Sequence, residues 1–457
     1  MSSQSQSDFL SLPPELIENI IRQVALKRDL AGMRMTCKTL DKPAANELFK
    51  FVYLSPSEED VHAWNSISEH EIVRRIPRHA VIHTQSDIED HGDSSGDRER
   101  DEIGKDFKSA LSALSRYPNL DSVEIGFTPE CKGRDIEYWE EEPAESIDQR
   151  VYMLKLVCKA IKDRAANKEN KTIRRLTITN LQNCPVPDLT SCELFRGVMS
   201  HLEELHISLV QEYNEHGPDH DYTKIELQTF PAHFLGDWLK PISENLKALS
   251  IYHKNENWGP FPGYFDFSGI DFSKLETLAL GYYTLAHDSD LDWIVGIKSL
   301  RKLVLHNCMI ASYIRIIDGN MAAWKPLKQD WIPMPSEDGD ADDDGIFKFE
   351  GRWSSYLDRI ADGLPNLNDF RFDQGGQFHN TPYGVEERDV CDVRIFPKRY
   401  VVFDNGILPT HWTEAEDDGE LYTWLEDEDG FPNLHEQCME EDQKSLDRLL
   451  EKTRSKR

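Results

Sequence analysis

Leu246-Lys247-Ala248-Leu249-Ser250-Ile251 is an apolar anchor followed by strict alternation, with Leu249 and Ile251 apolar and Ser250 polar between them. Period-two alternation places Leu249 and Ile251 on one face of a strand and Ser250 on the other. The same L-x-x-L-x-L pattern, with aliphatic or aromatic replacements, recurs as Leu120-x-x-Val123-x-Ile125, Ile173-x-x-Leu176-x-Ile178, Leu202-x-x-Leu205-x-Ile207, Leu275-x-x-Leu278-x-Leu280 and Leu300-x-x-Leu303-x-Leu305. A seventh segment, Leu367-x-x-Phe370-x-Phe372, is degenerate. The starts are 53, 29, 44, 29, 25 and 67 residues apart. Helix-like runs, Asp106 to Leu114 and Val151 to Lys162, lie between them, and several segments are entered through short loops such as Tyr117-Pro118-Asn119 and Leu364-Pro365-Asn366. A single match occurs by chance in any helix or strand. Six in order, with β-favouring endings, argue for a repeated strand unit.

In the sixth segment Cys308 stands where a leucine-rich repeat places Asn or Cys. The set resembles an irregular leucine-rich-repeat array, which implies an α/β solenoid. Three of the spacings fall in or at the edge of the family's range of about 20–29 residues. The 53- and 44-residue intervals each leave room for a missed repeat or an insertion, and the 67-residue interval spans an acidic loop. An ordinary α/β domain with similar strands is the alternative. If the repeats are real, Glu124, Thr177, His206, Ser250, Ala279 and Val304 point away from the apolar face and are candidates for a substrate-binding surface. The plainer reading makes each of them a solvated strand residue.

Residues 12 to 54 form a separate unit. Leu12-Pro13-Pro14-Glu15 opens it, with proline suited to a first helical turn and Glu15 to the helix dipole. Leu16, Ile17, Ile20, Ile21 and Val24 fall on one helical face. Asp29 is placed to cap a second helix carrying Leu30, Met33, Cys37 and Leu40; Pro43 stops it and starts a third, and Phe51 to Leu54 leads out as a strand. Three short helices make a core that is marginal alone and gains from a partner. The order and spacing of Leu12-Pro13-Pro14-Glu15-Leu16-Ile17-x-x-Ile20-Ile21, Asp29-Leu30 and Cys37-Lys38-x-Leu40 resemble the F-box, over roughly a tenth of the chain. Leu40 departs from the Trp or Phe common there. The whole layout is similar to F-box proteins common in filamentous fungi. The resemblance implies docking onto the Skp-type adaptor of a Skp–cullin–F-box ubiquitin ligase, with Leu12, Pro13, Leu16, Ile17, Ile20 and Ile21 as adaptor contacts, some of which must instead fill the module's own core.

Composition narrows the function classes. Acidic residues outnumber basic ones 83 to 52, a formal charge of −31, which disfavours binding to phosphate backbones and anionic membranes. Met1 to Asp8 shows no secretory signal, and no apolar run is long enough to cross a bilayer. The eight cysteines are scattered without a C-x-x-C pair, and the expected compartment is the reducing cytosol or nucleus. Lys452 to Arg457 reads as a solvated helix end or, less simply, a nuclear signal.

Asp340-x-Asp342-x-Asp344-Gly345 starts like a calcium loop, but its twelfth position is Gly351, with Glu350 one residue early. His216 and His220 lack the further ligands that zinc requires. No hydrolase elbow, phosphate-binding loop or dinucleotide motif is present. The expectation is a non-catalytic α/β adaptor without cofactor or metal: F-box 9–54, linker with polar insert 55–105, repeat-like domain 106–383, and C-terminal strand, acidic region and helix 384–457. Expected partners are a Skp-type adaptor, a cullin and a protein substrate, without nucleic acid or membrane. A binding scaffold without ubiquitin transfer, or an enzyme or calcium-regulated protein built on the repeats, are the alternatives.

Overall fold

The computed structural model describes residues 9–24, 26–85, 104–132, 144–211, 224–253, 257–334, 345–374, 392–406, 408, 412–415, 423–427 and 431–456. Over these residues the chain is mixed α/β and rich in parallel strands. It divides into two compact units, 1–126 with 156–174, and 127–155 with 175–457.

The first unit runs α1 (Pro14–Ile21), α2 (Lys27–Thr36), α3 (Lys38–Leu48), β1 (Phe51–Leu54), α4 (Glu58–Glu69), β2 (His79–His83), α5 (Lys105–Ser112) and β3 (Ser122–Gly126). β2 pairs in parallel with both β1 and β3, aligning Val52, Ala80 and Val123, and Leu54, Ile82 and Ile125, all buried. Trp64 of α4 anchors this layer: its indole donates to the Ala110 carbonyl at 2.8 Å, while Tyr117 Oη donates to the Trp64 carbonyl at 2.7 Å.

Three expectations change here. The supposed linker 55–105 contains α4 and β2. Its Ser- and Glu-rich start is a helix signal, because Ser57 Oγ accepts the Asp60 amide and three acids fill the first turn. The break between the second and third helices lies at Cys37, whose backbone is extended, and Pro43 sits inside α3. Asp29 lies in the first turn of α2, with Leu26 at the N-cap position and no side-chain cap.

In the second unit, β4 (Glu130–Lys132) and β5 (Ala144–Ser146) form a parallel pair before α6 (Ile147–Ala165), whose residues beyond Lys155 belong to the first unit. There follow β6 (Arg175–Gln182), α7 (Pro187–Thr190), α8 (Glu193–Met199), β7 (Glu204–Val210), α9 (Ile225–His233), β8 (Ala248–His253), β9 (Thr277–Gly281), β10 (Thr284–Leu285), α10 (Asp292–Gly296), β11 (Lys302–His306), β12 (Met309–Ile316), α11 (Asp318–Trp324), β13 (Trp331–Pro333), β14 (Gly345–Phe349), α12 (Trp353–Gly363), β15 (Asp369–Asp373), β16 (Tyr400–Asp404), β17 (Trp412–Ala415), β18 (Thr423–Asp427) and α13 (His435–Arg454).

β6, β7, β8, β9, β11 and β15 lie side by side in chain order, every pair parallel. Leu176, Leu205, Leu249, Leu278, Leu303 and Phe370 form one register row, and Ile178, Ile207, Ile251, Leu280, Leu305 and Phe372 the next. No member of either row is more than 3% exposed. The anchors Ile173, Leu202, Leu246, Leu275, Leu300 and Leu367 are buried too, so each of these segments commits three side chains to the buried apolar side of the strands. Cys308 is buried after β11, with Sγ donating to the Leu280 carbonyl of the neighbouring strand at 3.5 Å.

The long intervals are insertions in this order. The 53-residue interval holds β4, β5 and α6, and the 44-residue interval holds α9 and a π-helical turn, Phe234–Leu239. The 67-residue interval holds most of a second sheet, ordered β10-β12-β14-β13, with β16 also pairing β12.

The C-terminal helix starts at His435 and is tied down by a buried ion pair. Arg399 Nε lies 2.7 Å from Asp442 Oδ2, both side chains fully buried, and Asp442 also accepts from Tyr400 Oη and the Ser354 amide. Lys452 and Arg454 fall in the last turn of α13, and Lys452 reaches the Ala361 carbonyl. No helix among the described residues is long and apolar enough to cross a membrane.

Candidate interaction surfaces

Helix α1 carries four of the six expected adaptor contacts and divides them, with Leu12 and Pro13 just before it. Ile17 and Ile21 point inward and form a cluster with Leu30, Leu40 and Ala44, against which Phe9, Leu12, Val24, Met33, Cys37 and Leu48 also pack. They are core residues and leave the list of surface contacts. Leu16 and Ile20, one turn apart, face outward at 48% and 43% exposure, beside exposed Pro13 in the chain and with Leu10 at 45%. Two turns of helix facing so small a cluster have room for only two fully buried side chains. The other two large apolar residues of the helix stand in solvent.

The six strand candidates behave differently. Thr177, His206, Ser250, Ala279 and Val304 align across β6, β7, β8, β9 and β11 in a single register row that continues to Arg371 of β15. Their opposition to the apolar core is as alternation requires, but none of the five is more than 6% exposed. The expected solvated face is therefore corrected for these positions. Tyr252 and Tyr282 pack over Ala279 and Val304, with ring centroids 5.2 Å apart at 78°. Gly281, in register with Tyr252, makes room: a Cβ there would lie 1.8 Å from the Tyr252 ring. Glu124, in the first unit, aligns with Val81 and Tyr53 and is partly exposed.

The polar members of this face bind one another across strands. His206 Nδ1 is 2.9 Å from Ser250 Oγ and its Nε2 is 3.5 Å from Glu204 Oε2. Glu204 accepts both Nε and Nη2 of Arg175, at 2.7 and 3.1 Å. Burial pushes the Glu204 carboxyl up, but hydrogen bonds from His206 and Arg175 outweigh it and hold the group at about 2. Serine, histidine and carboxylate are the residue types of a hydrolytic triad. Here Ser250 and His206 are both fully buried, and the set acts as a cross-strand bridge. A second bridge joins His306 Nδ1 to Asp373 Oδ1 at 2.8 Å.

The second unit also holds a cavity that the L-x-x-L-x-L pattern does not announce. It lies between the loop 260–273, the segment 287–299 and residues 324–327, with a volume of about 810 Å³. The nearest sequence signal is composition: Trp258 to Phe267 is a loop with five aromatics in ten residues, where loops are ordinarily polar.

Among the described residues no group of three or more His, Cys, Asp or Glu is placed to hold a metal ion. His216 and His220, and Asp340, Asp342 and Asp344, lie outside the described residues. Glu350 pairs with Lys348 at 3.2 Å. No protein-family model matches this chain, and no curated protein matches it.

Proposed function

We propose that the chain is the substrate-recognition subunit of a Skp–cullin–F-box ubiquitin ligase, docking a Skp-type adaptor through α1 to α3 and holding a protein substrate on the strand-rich second unit. The observation that carries this reading is the outward apolar face of α1. Leu16 and Ile20, one turn apart, stand in solvent, although the helix is short and its inward positions are already filled. Apolar side chains grouped in this way suit burial against a partner. The F-box-like order of Leu12-Pro13-Pro14-Glu15 and Cys37-Lys38 adds the identity of that partner, and the chain-ordered parallel strands with Cys308 behind β11 fit a leucine-rich-repeat-like receptor. The mechanism is proximity. The chain raises the effective concentration of a bound substrate near a charged conjugating enzyme and makes no bond itself.

A scaffold without ubiquitin transfer is the second reading. It is favoured by the placement of α1 to α3 within one compact unit with β1 to β3, as a structural cap would be. Affinity purification of the tagged chain separates the two, using wild type and a Leu16→Asp/Ile20→Asp variant altered only at exposed positions. Adaptor and cullin recovered with wild type and lost with the variant support the ligase receptor. Adaptor without cullin supports the scaffold. Neither protein on either bait overturns adaptor docking.

A further inference from the structure

The cavity of about 810 Å³ falls within the size range of about 300–1,000 Å³ typical of ligand sites. Its aromatic wall is held in place. Phe267 stacks on Trp293 at 4.0 Å and 8°, Trp293 Nε1 donates to Tyr283 Oη at 3.2 Å, and Tyr264 Oη donates to the Trp324 carbonyl at 2.8 Å. Trp293 and Tyr264 remain only half-buried, and Leu327 stands 68% exposed among the lining residues.

The charge on this wall is unbalanced. Four carboxylates, Asp266, Asp271, Asp290 and Asp292, face two ammonium groups, Lys298 and Lys325. Most of these charges are already engaged. Asp290 Oδ2 accepts the amides of Ala286 and His287 at 2.7 and 2.8 Å, Asp292 pairs with Arg359, and Lys298 donates to the carbonyls of Val295 and Gly363, both at 2.8 Å. Asp266 Oδ1 accepts the Ser268 amide at 2.8 Å, and neither Asp266 nor Asp271, both exposed, has an ion-pair partner among the described residues. Lys325, which ends α11 in a left-handed conformation, likewise has no ion pair among the described residues. Aromatic faces beside carboxylates that have no cation partner favour a cation, through ring quadrupole and charge together.

We propose that this cavity binds a basic peptide segment of a partner protein, seating an arginine or lysine side chain against Tyr264 and Trp293 near Asp266 and Asp271, with an apolar neighbour on Leu327. This names the substrate class of the receptor reading and rests on it for its biological meaning, although the binding itself can be measured without any adaptor.

The test is saturation-transfer NMR on the full chain with the tripeptide acetyl-Leu-Arg-Phe-amide, its citrulline analogue and its glutamate analogue. Transfer is expected to the arginine peptide, with weaker transfer to citrulline and none to glutamate. Gly296 lines the cavity, and a Cβ added there meets nothing within 4 Å, so Gly296→Trp fills the space without a backbone clash and should abolish transfer. Asp266→Asn/Asp271→Asn changes only exposed groups and should weaken binding about fivefold, as for partly screened ion pairs. Equal binding of citrulline and arginine, full binding by Gly296→Trp, or no binding to wild type each overturns the proposal. The Leu16→Asp/Ile20→Asp variant should retain the peptide. Peptide binding without adaptor recovery overturns only the ligase reading, and adaptor recovery without peptide binding overturns only this one.

Discussion

On α1, Leu16 and Ile20 are 48% and 43% exposed; on the row from Thr177 to Val304 no side chain exceeds 6%. The helix is short and belongs to a cluster of three, so its apolar residues outnumber the inward positions. The strand row crosses five strands, and at its Ala279–Val304 end small or branched side chains let large ones fold over them. Tyr252 does so because Gly281 offers no Cβ to block its ring. Apolar character on a small helical module thus ends up outside, while mixed polar character on a broad sheet ends up inside, provided its polar groups find partners such as His206 with Ser250.

The contrast within α1 is open to the sharpest test. Ile21→Asp buries an unpaired carboxylate in the three-helix cluster and should cost about 3–5 kcal/mol, whereas Ile20→Asp should stay within about 0.5 kcal/mol of wild type. Urea denaturation followed by circular dichroism reads both. Equal losses would mean that the two faces of α1 are not distinct.

Buried charge extends the comparison to the C-terminus. Arg399→Met leaves Asp442 buried without its cation and should destabilise the second unit by about 3 kcal/mol, and adding Asp442→Leu should recover much of that loss. If Asp442→Leu adds its own full penalty instead, the pair is not coupled. Next in size is Gly281→Ala, which drives a methyl group into the Tyr252 ring and should cost about 1–3 kcal/mol by overpacking. Increased solvent access at Tyr252, measured by chemical modification, should accompany it. An unchanged melting temperature would show that the row is not sealed by this packing.

The smallest effect is a pH dependence. Burial and the neighbouring Arg399 guanidinium lower His435 to about 4. An unfolded histidine takes up a proton near its ordinary value of 6.5. Between about 6.5 and 4 the unfolded chain is therefore the more protonated state, and stability falls as pH falls. His435→Gln should flatten that slope in thermal melts across this window, and an unaltered slope would remove His435 as its source.

Much of the sheet was legible. Every L-x-x-L-x-L segment is a parallel strand with its anchor buried, because period-two alternation with one extra apolar residue has few other uses. The polar start of α4 reads as linker by composition although its Ser57 cap and acidic first turn signal a helix, and Pro43 suggested a break that Cys37 supplies, since local propensity is weak against packing. Of the cavity only the aromatic-rich loop Trp258 to Phe267 left a trace in the sequence. The cavity wall joins a loop after β8 to segments around α10 and α11, distant in sequence and unrelated in pattern.

Alternation and spacing by themselves determined which faces of the strands oppose each other and which residues of α1 share a turn, because both follow from backbone geometry within a few residues. Only the tertiary structure decided which of those faces meets water. Exposure depends on what distant parts of the chain bring over a surface: Tyr252 and Tyr282 over Ala279 and Val304, and no comparable cover over Leu16 and Ile20 among the described residues.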